Sequence, residues 1–166
     1  MSNEAFFIQQ LSIGETGEDV VKDILTQRTN EVVDVRTWRS FQKRDIDFRC
    51  FINNVGYSVE VKTDSYVSST GNIAIELSDS SNRSRNGLGW YYYTEADVLA
   101  YVCRYTLRSW FFRMADIRDY MEKYNPPTNT STFGGNQLTN ALIDIEDFRS
   151  KGYYLQQFDE TANELH

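Results

Sequence analysis

The stretch Asp47 to Lys62, D-F-R-C-F-I-N-N-V-G-Y-S-V-E-V-K, decides how the chain folds. Residues 46–52 (I-D-F-R-C-F-I) and 57–62 (Y-S-V-E-V-K) are rich in β-branched and aromatic side chains, and Asn53, Asn54 and Gly56 between them carry turn chemistry. Two such runs about such a turn predict a β-hairpin. Side chains alternate along a strand, so Glu60 and Lys62 share one face. Asp47 opens the partner strand, and a hairpin of this length brings it beside Glu60 when the register is in step. Taken alone, Glu60 and Lys62 read either as a solvated strand face or as part of a site.

The chemistry of such a trio is specific. Two carboxylates a few ångströms apart repel unless a cation sits between them. Mg²⁺ prefers oxygen ligands, takes one or two protein carboxylates, and leaves water and substrate phosphate to complete its octahedron. Water on such an ion is a stronger nucleophile, and a nearby ammonium orients it or offsets phosphate charge. Asp, Glu and Lys in this arrangement suit phosphodiester cleavage.

Working outward, residues 14–28 predict a first helix, with Val20, Val21, Ile24 and Leu25 as its apolar stripe and acidic residues in its first turn. Glu18 falls on or beside the inward face, and serves either the site or the helix N-terminus. Residues 31–38 read as a strand. Arg36, Arg39, Lys43 and Arg44 then crowd the approach to Asp47 in a loop that suits nucleic acid or simply water. Downstream, 72–77 is a strand carrying Glu76, and 78–89 is a polar loop with Arg83 and Arg85, suited to gripping a phosphate backbone or to plain solvation. Ala96–Cys103 and Ser109–Arg113 are strands, and Met114–Tyr124 is a second helix with Ile117, Tyr120, Met121 and Tyr124 at helical spacing. Trp90 and Tyr91–Tyr93 either stack on bases or pack a sheet edge. T-N-T-S-T-F-G-G-N-Q (128–137) reads as a loop, 141–145 as a short strand, 146–151 as a helical turn, 153–158 as an extended piece and 160–166 as a frayed acidic tail.

Asp47, Glu60 and Lys62 in the pattern D-x12-E-x-K, together with Gly14, Gly17, Glu18, Val21 and Leu25 in the pattern G-x-x-G-E-x-x-V-x-x-x-L, resemble the PD-(D/E)XK nuclease superfamily. The order G-N-I-A-I-E, polar loop, G-W, A-D-V-L-A-Y-V is similar to the downstream half of small phage and bacterial nuclease-like proteins. The resemblance covers about residues 14–113. It implies an α/β fold of restriction-endonuclease type, with a mixed central sheet flanked by helices. It also implies metal binding at Asp47, Glu60 and Val61, with Lys62 assisting the attacking water and Glu18 completing the acidic cluster. Arg39, Lys43, Arg44, Arg83 and Arg85 are then the expected nucleic-acid contacts. Asp45 and Asp47 read as lying on one strand face and compete for the metal role. Asp47 alone sits between apolar Ile46 and Phe48 in the manner of the family's G-x-D segment and is preferred, while Asp45 stands where that segment has glycine and is expected in a supporting place behind the metal ligands. Glu76 and Asp97 are expected near the site.

Composition bounds these readings. A chain of 166 residues, 40% apolar and 14% aromatic, reads as one domain with a real core, centred on about 14–124 and extended by a strand and helix over 138–158. No apolar run approaches eighteen residues and no basic-then-apolar leader is present, so neither a membrane span nor a signal peptide is expected. Cys50 and Cys103 lack metal-type spacing and read as buried free thiols of a cytoplasmic protein. His166 is the one histidine, which excludes histidine-based catalysis. The net charge of −7 argues against tight, indiscriminate DNA binding, but residues 36–113 hold eleven basic against eight acidic groups. The expected activity is therefore Mg²⁺-dependent nuclease action, with Mn²⁺ substituting and DNA the favoured substrate. A resolvase of branched DNA would need a homodimer. The alternative is an inactive protein of the same fold that binds a protein or nucleic acid.

Overall fold

Read along the chain, the computed structural model describes residues 3–159, with side chains from 16 to 159 except Phe133. A long helix α1 (Asn3–Arg28) precedes strand β1 (Glu31–Asp34), a single turn α2 (Arg39–Gln42), and the strands β2 (Phe48–Ile52) and β3 (Val55–Asp64). A second turn, α3 (Val67–Thr70), leads into β4 (Asn72–Asp79). Next come β5 (Val98–Cys103), β6 (Ser109–Arg113) and α4 (Met114–Tyr124), then β7 (Thr128–Phe133), β8 (Asn136–Asp144), α5 (Ile145–Ser150) and β9 (Leu155–Phe158). The fold is α/β, a mixed central sheet flanked by helices. The six-stranded sheet runs β1-β2-β3-β5-β6-β9, and a smaller sheet runs β4-β8-β7. Only β3 and β5 pair in parallel among the described strands. No helix among the described residues is long and apolar enough to cross a membrane.

Alternation along β3 sorts the molecule into two faces. Val59 and Val61 pack with Val21 and Leu25 of α1, and Phe48, Cys50, Ala100, Val102 and Phe111 complete that layer. The opposite face carries Leu99, Tyr101, Trp110 and Phe112 against Ile73, Ile75, Ala141 and Ile143 of the smaller sheet, with α4 and α5 closing the layer through Ile117, Tyr120 and Phe148. Glu60 and Lys62 belong to this second face, because they stand opposite Leu99 and Tyr101 in the parallel register. Both cysteines are buried and unpaired, as their positions in apolar strands imply.

Gly17 explains how α1 lies against β3. A Cβ at this position would meet Thr63 Oγ1 at 2.0 Å and Thr63 Cβ at 3.2 Å. The helix therefore crosses the strand at a distance that a side chain would not allow. Asp34 ties the other end of this layer. Its carboxylate takes Arg36 through Nη2 at 2.6 Å and Nε at 3.0 Å, and Lys22 of α1 at 3.1 Å. These hydrogen bonds hold the Asp34 carboxyl well below the usual carboxylate range against the opposing effect of burial.

Several local expectations are corrected. α1 starts at Asn3, so Gly14 and Gly17 lie inside it and Glu18 serves no helix N-terminus. β1 ends at Asp34 rather than Trp38, because the Asp34 side chain also accepts the Arg36 N–H at 3.3 Å and turns the chain. The polar stretch 128–137 is no loop: Gly134 and Gly135, at φ 58° and 83°, form a two-residue hairpin turn between β7 and β8. The 78–89 loop is pinned at its base by the Ser78↔Leu88 bridge and by Gly89 N–H to Leu77 O at 2.9 Å. The expected frayed tail, 160–166, lies outside the described residues.

Two stability measurements follow. Gly17→Ala should be destabilising in the parent, whereas in a Thr63→Ala background the same change should gain helix propensity, giving a coupling of about 1 kcal/mol in a urea-melt double-mutant cycle. Additive effects would remove the close-approach argument. Asp34→Asn should cost about 1 kcal/mol at neutral pH, given partial exposure of the pair. Because the folded-state pKa is depressed, that deficit should shrink as pH falls below about 4, where the parent loses the same contribution. A deficit that is constant with pH would contradict the assignment.

Candidate active site

The hairpin register runs Phe48↔Val59, and its continuation sets Asp47 opposite Glu60. Asp47 N–H donates to Val59 O at 2.9 Å, and its Oδ2 accepts the Val61 N–H at 2.8 Å. Burial pushes the Asp47 carboxyl up to about 6; the Val61 N–H and the Lys62 ammonium oppose this, while the negative charges of Glu18 and Asp45 add to it. Glu60 is 4% exposed. Burial and the nearby Asp45 and Asp47 carboxylates raise its pKa, with Lys62 acting against them. The Lys62 ammonium bonds Glu60 Oε1 and lies 3.3 Å from Asp45 Oδ2. Burial alone would lower the Lys62 pKa, but the carboxylates outweigh it and hold the ammonium well above its usual range. Trp90 forms the floor beneath it, with Nζ 5.3 Å from the ring centroid.

The structure thus brings Asp47, Glu60 and Lys62 together. Val61 joins them through its main chain, while its side chain packs toward α1. Glu18 is close enough to raise the Asp47 pKa, but its carboxylate is held by Arg36 Nη1 at 2.8 Å and it rises from the helix on the other face. It is therefore part of the Arg36–Asp34 network as well as a neighbour of the cluster. Asp47 immediately precedes β2 and continues its register, whereas Asp45 does not share that extended line. It sits in the preceding turn at φ 55°, the left-handed region that glycine favours, and touches Lys62 directly. Aspartate tolerates this conformation better than most non-glycine residues.

Glu76 and Tyr93 complete the surroundings. Glu76 Oε1 accepts the Trp90 N–H at 3.3 Å, and burial raises its pKa while Lys62 opposes the rise. Tyr93 is raised by burial and by Asp45 and Glu76, with Lys62 and Arg85 opposing. The sequence offers Tyr93 only as one of a tyrosine run that stacks on bases or packs a sheet edge, and does not place it beside the charged cluster. The one signal was Gly89, whose hydrogen in place of a Cβ lets this segment lie on the β4 backbone, where a Cβ would meet Glu76 O at 2.3 Å. Asp97, by contrast, is engaged by Ser58 through the N–H at 2.8 Å and the hydroxyl at 2.7 Å. Trp90 is buried, so it is core and no base-stacking platform; Tyr92 is 57% exposed.

A cleft of about 370 Å³ opens beside the cluster, lined by Arg39, Lys43, Asp45, Arg85 and Tyr93 among others. Asp45 belongs to both cleft and cluster, so the two are continuous. Arg85 lies over the Tyr93 ring at 4.4 Å and donates to Lys43 O. Of the other expected nucleic-acid contacts, Arg44 is paired with Glu95 at 2.6 Å, and Arg83 is outside the cleft lining.

Among the described residues, no group of three or more His, Cys, Asp or Glu side chains is arranged to hold a metal ion. The donor chemistry nevertheless fits a hard divalent cation taking two carboxylates. Asp47 and Glu60 are oxygen donors whose pKa values are raised by burial and by neighbouring carboxylates, Glu18 and Asp45 for Asp47, and Asp45 and Asp47 for Glu60, a tension that a cation relieves. No family model, no curated protein and no solved structure matches the chain.

Proposed function

We propose that this protein is a divalent-metal-dependent nuclease, using Mg²⁺ or in its place Mn²⁺, with DNA the favoured substrate. The observation that carries this reading is the meeting of Asp47, Glu60 and Lys62 beside Asp45, which bonds Lys62 and lines a cleft together with Arg39, Lys43 and Arg85. Asp47 and Glu60, with Val61 beside them, would hold the cation, which supplies Lewis acidity and an activated water. In the hydrolysis, the water oxygen bonds to phosphorus and sheds a proton to solvent, one ester P–O bond breaks, and the leaving oxygen takes up a proton in exchange, so that the products are one phosphate monoester end and one hydroxyl end. Lys62 is held protonated by its carboxylate neighbours, so its role is to donate to the water or phosphate rather than to accept a proton as base. Arg39, Lys43 and Arg85 would grip flanking phosphates and fix the register of the strand.

A second reading, a non-catalytic binding protein, draws on one observation. Lys62 already satisfies Glu60 and Asp45, so the cluster also serves as a closed internal ion-pair group. The two readings differ in their response to metal.

The deciding assay offers labelled single-stranded DNA, duplex DNA, a four-way junction and RNA, each with and without Mg²⁺ or Mn²⁺. The nuclease reading expects metal-dependent cutting, lost by about a hundredfold or more in Glu60→Gln. Lys62→Met alone would leave a buried carboxylate unpaired, so the double variant Glu60→Gln/Lys62→Met serves as the folded control. It should melt near the parent, since replacing both partners of a buried pair is often close to neutral. Cutting that survives in both variants would overturn the site. Absence of cutting, together with no metal-induced thermal shift in the parent, would favour the binding protein.

A further inference from the structure

Residues 124–143 contain no charged side chain, although a quarter of the chain is charged. Most of this stretch forms the β7–β8 hairpin. Thr128 to Thr132 are exposed at every position, so both faces of β7 meet water. β7 is also the last strand of its sheet, and among the described residues no strand pairs with its outer edge. Open edges are ordinarily blunted by charge, proline or a bulge. The span of β7 has none of these.

The direction of its free main-chain groups follows from the register. Leu142 N–H donates to Pro127 O, and opposed residues of an antiparallel ladder alternate between bonded and non-bonded pairs. Thr128, Thr130 and Thr132, which stand opposite Ala141, Thr139 and Gln137, therefore turn their N–H and C=O groups away from β8.

We propose that the outer edge of β7 is a self-association surface, with β7 pairing antiparallel to the β7 of a second copy across a twofold axis. Two observations select a second copy as the occupant. Each copy carries a net charge of −7, so like charge opposes approach over most of the surface, and the 124–143 stretch lets two copies meet without it. The strand is also self-complementary. Centred on Thr130, the pairing sets Thr130 against Thr130 of the partner subunit and Thr128 against Thr132 of the partner subunit. All the outward-directed residues then exchange both their hydrogen bonds. The side-chain arrangement has a precedent within the chain, where the Thr130 and Thr139 hydroxyls lie 3.0 Å apart. The product is one continuous sheet running from β4 of one copy to β4 of the other, an edge-to-edge augmentation closed by symmetry. Gln137 N–H bonds Ser80 Oγ at 2.7 Å and Ser80 N–H bonds Gln137 O at 2.9 Å. The hairpin is thereby tied to the loop that carries Arg85. The association itself does not depend on the proposed nuclease activity.

Sedimentation of the full chain over a concentration series tests the inference beside two variants. Thr130→Pro removes the outward N–H and no main-chain bond to β8, and like the lysine variant it gives up the exposed hydroxyl contact with Thr139. Thr130→Lys leaves the backbone intact and sets like charges opposite each other at the axis. The parent should be dimeric, and each variant should weaken the dimer at least about tenfold, with Thr130→Lys melting as the parent monomer does. If Thr130→Pro disturbs folding, the lysine variant alone decides. A parent that stays monomeric at every concentration, or a dimer that both variants leave intact, overturns the proposal.

Discussion

A carboxylate on the inward face of a central strand sets the terms for one whole side of this molecule. Removing Glu60 from water carries a penalty of several kcal/mol, which the Coulomb attraction of Lys62 offsets only if the geometry is good. Lys62 meets that condition by touching Glu60 and Asp45 together, with the Trp90 ring beneath it. An apolar pair of similar volume would hold this layer as well or better. The neighbouring positions on β5, Leu99 and Tyr101, show what the layer otherwise accepts. Charge here is thus a departure from the packing rule that governs the rest of the face, and departures of this kind cluster at functional sites.

The second sheet follows from the first. β3 and β5 are parallel neighbours, so the chain between them must cross from one end of the sheet to the other. It does so over one face, spending residues 72–79 on β4 and returning through the 80–97 segment. That return lays Trp90 under Lys62 and brings Tyr93 and Arg85 to the rim. The crossover therefore has two roles: it covers the apolar face of β5 and β6, and it supplies most of the wall around the charged cluster. The opposite face has no such wall, because α1 covers it closely and Gly17 removes the space in which one would fit.

The parts of the fold that could be read from sequence are those set by alternation and short range. The Asp47–Lys62 hairpin, the shared face of Glu60 and Lys62, and the α4 stripe needed only period and turn chemistry. The failures have a common physical source in contacts between distant residues. Arg36 and Glu18 are eighteen positions apart, and nothing local announces that one holds the other. Trp90 among tyrosines looks like a surface platform until β4 and Lys62 enclose it. Residues 128–137 look like a loop for a different reason. Thr, Asn and Ser resemble loop composition, whereas the Gly134-Gly135 pair was a hairpin signal set between two strands with no apolar alternation to mark them.

Asp45 joins these threads. A non-glycine residue in the left-handed region costs on the order of 1 kcal/mol, and aspartate tolerates it better than most. Glycine would take the same φ of 55° without strain. What aspartate adds is a carboxylate 3.3 Å from Lys62, on the rim of the cleft. Glu60, Asp45 and Asp47 together keep the ammonium charged in a partly closed site, where burial alone would drive it toward neutrality. The strained backbone and the buried carboxylate thus act toward one end, a lysine fixed in place and held protonated next to the Asp45 wall of a basic groove. A strand that needed only stability would have no use for either.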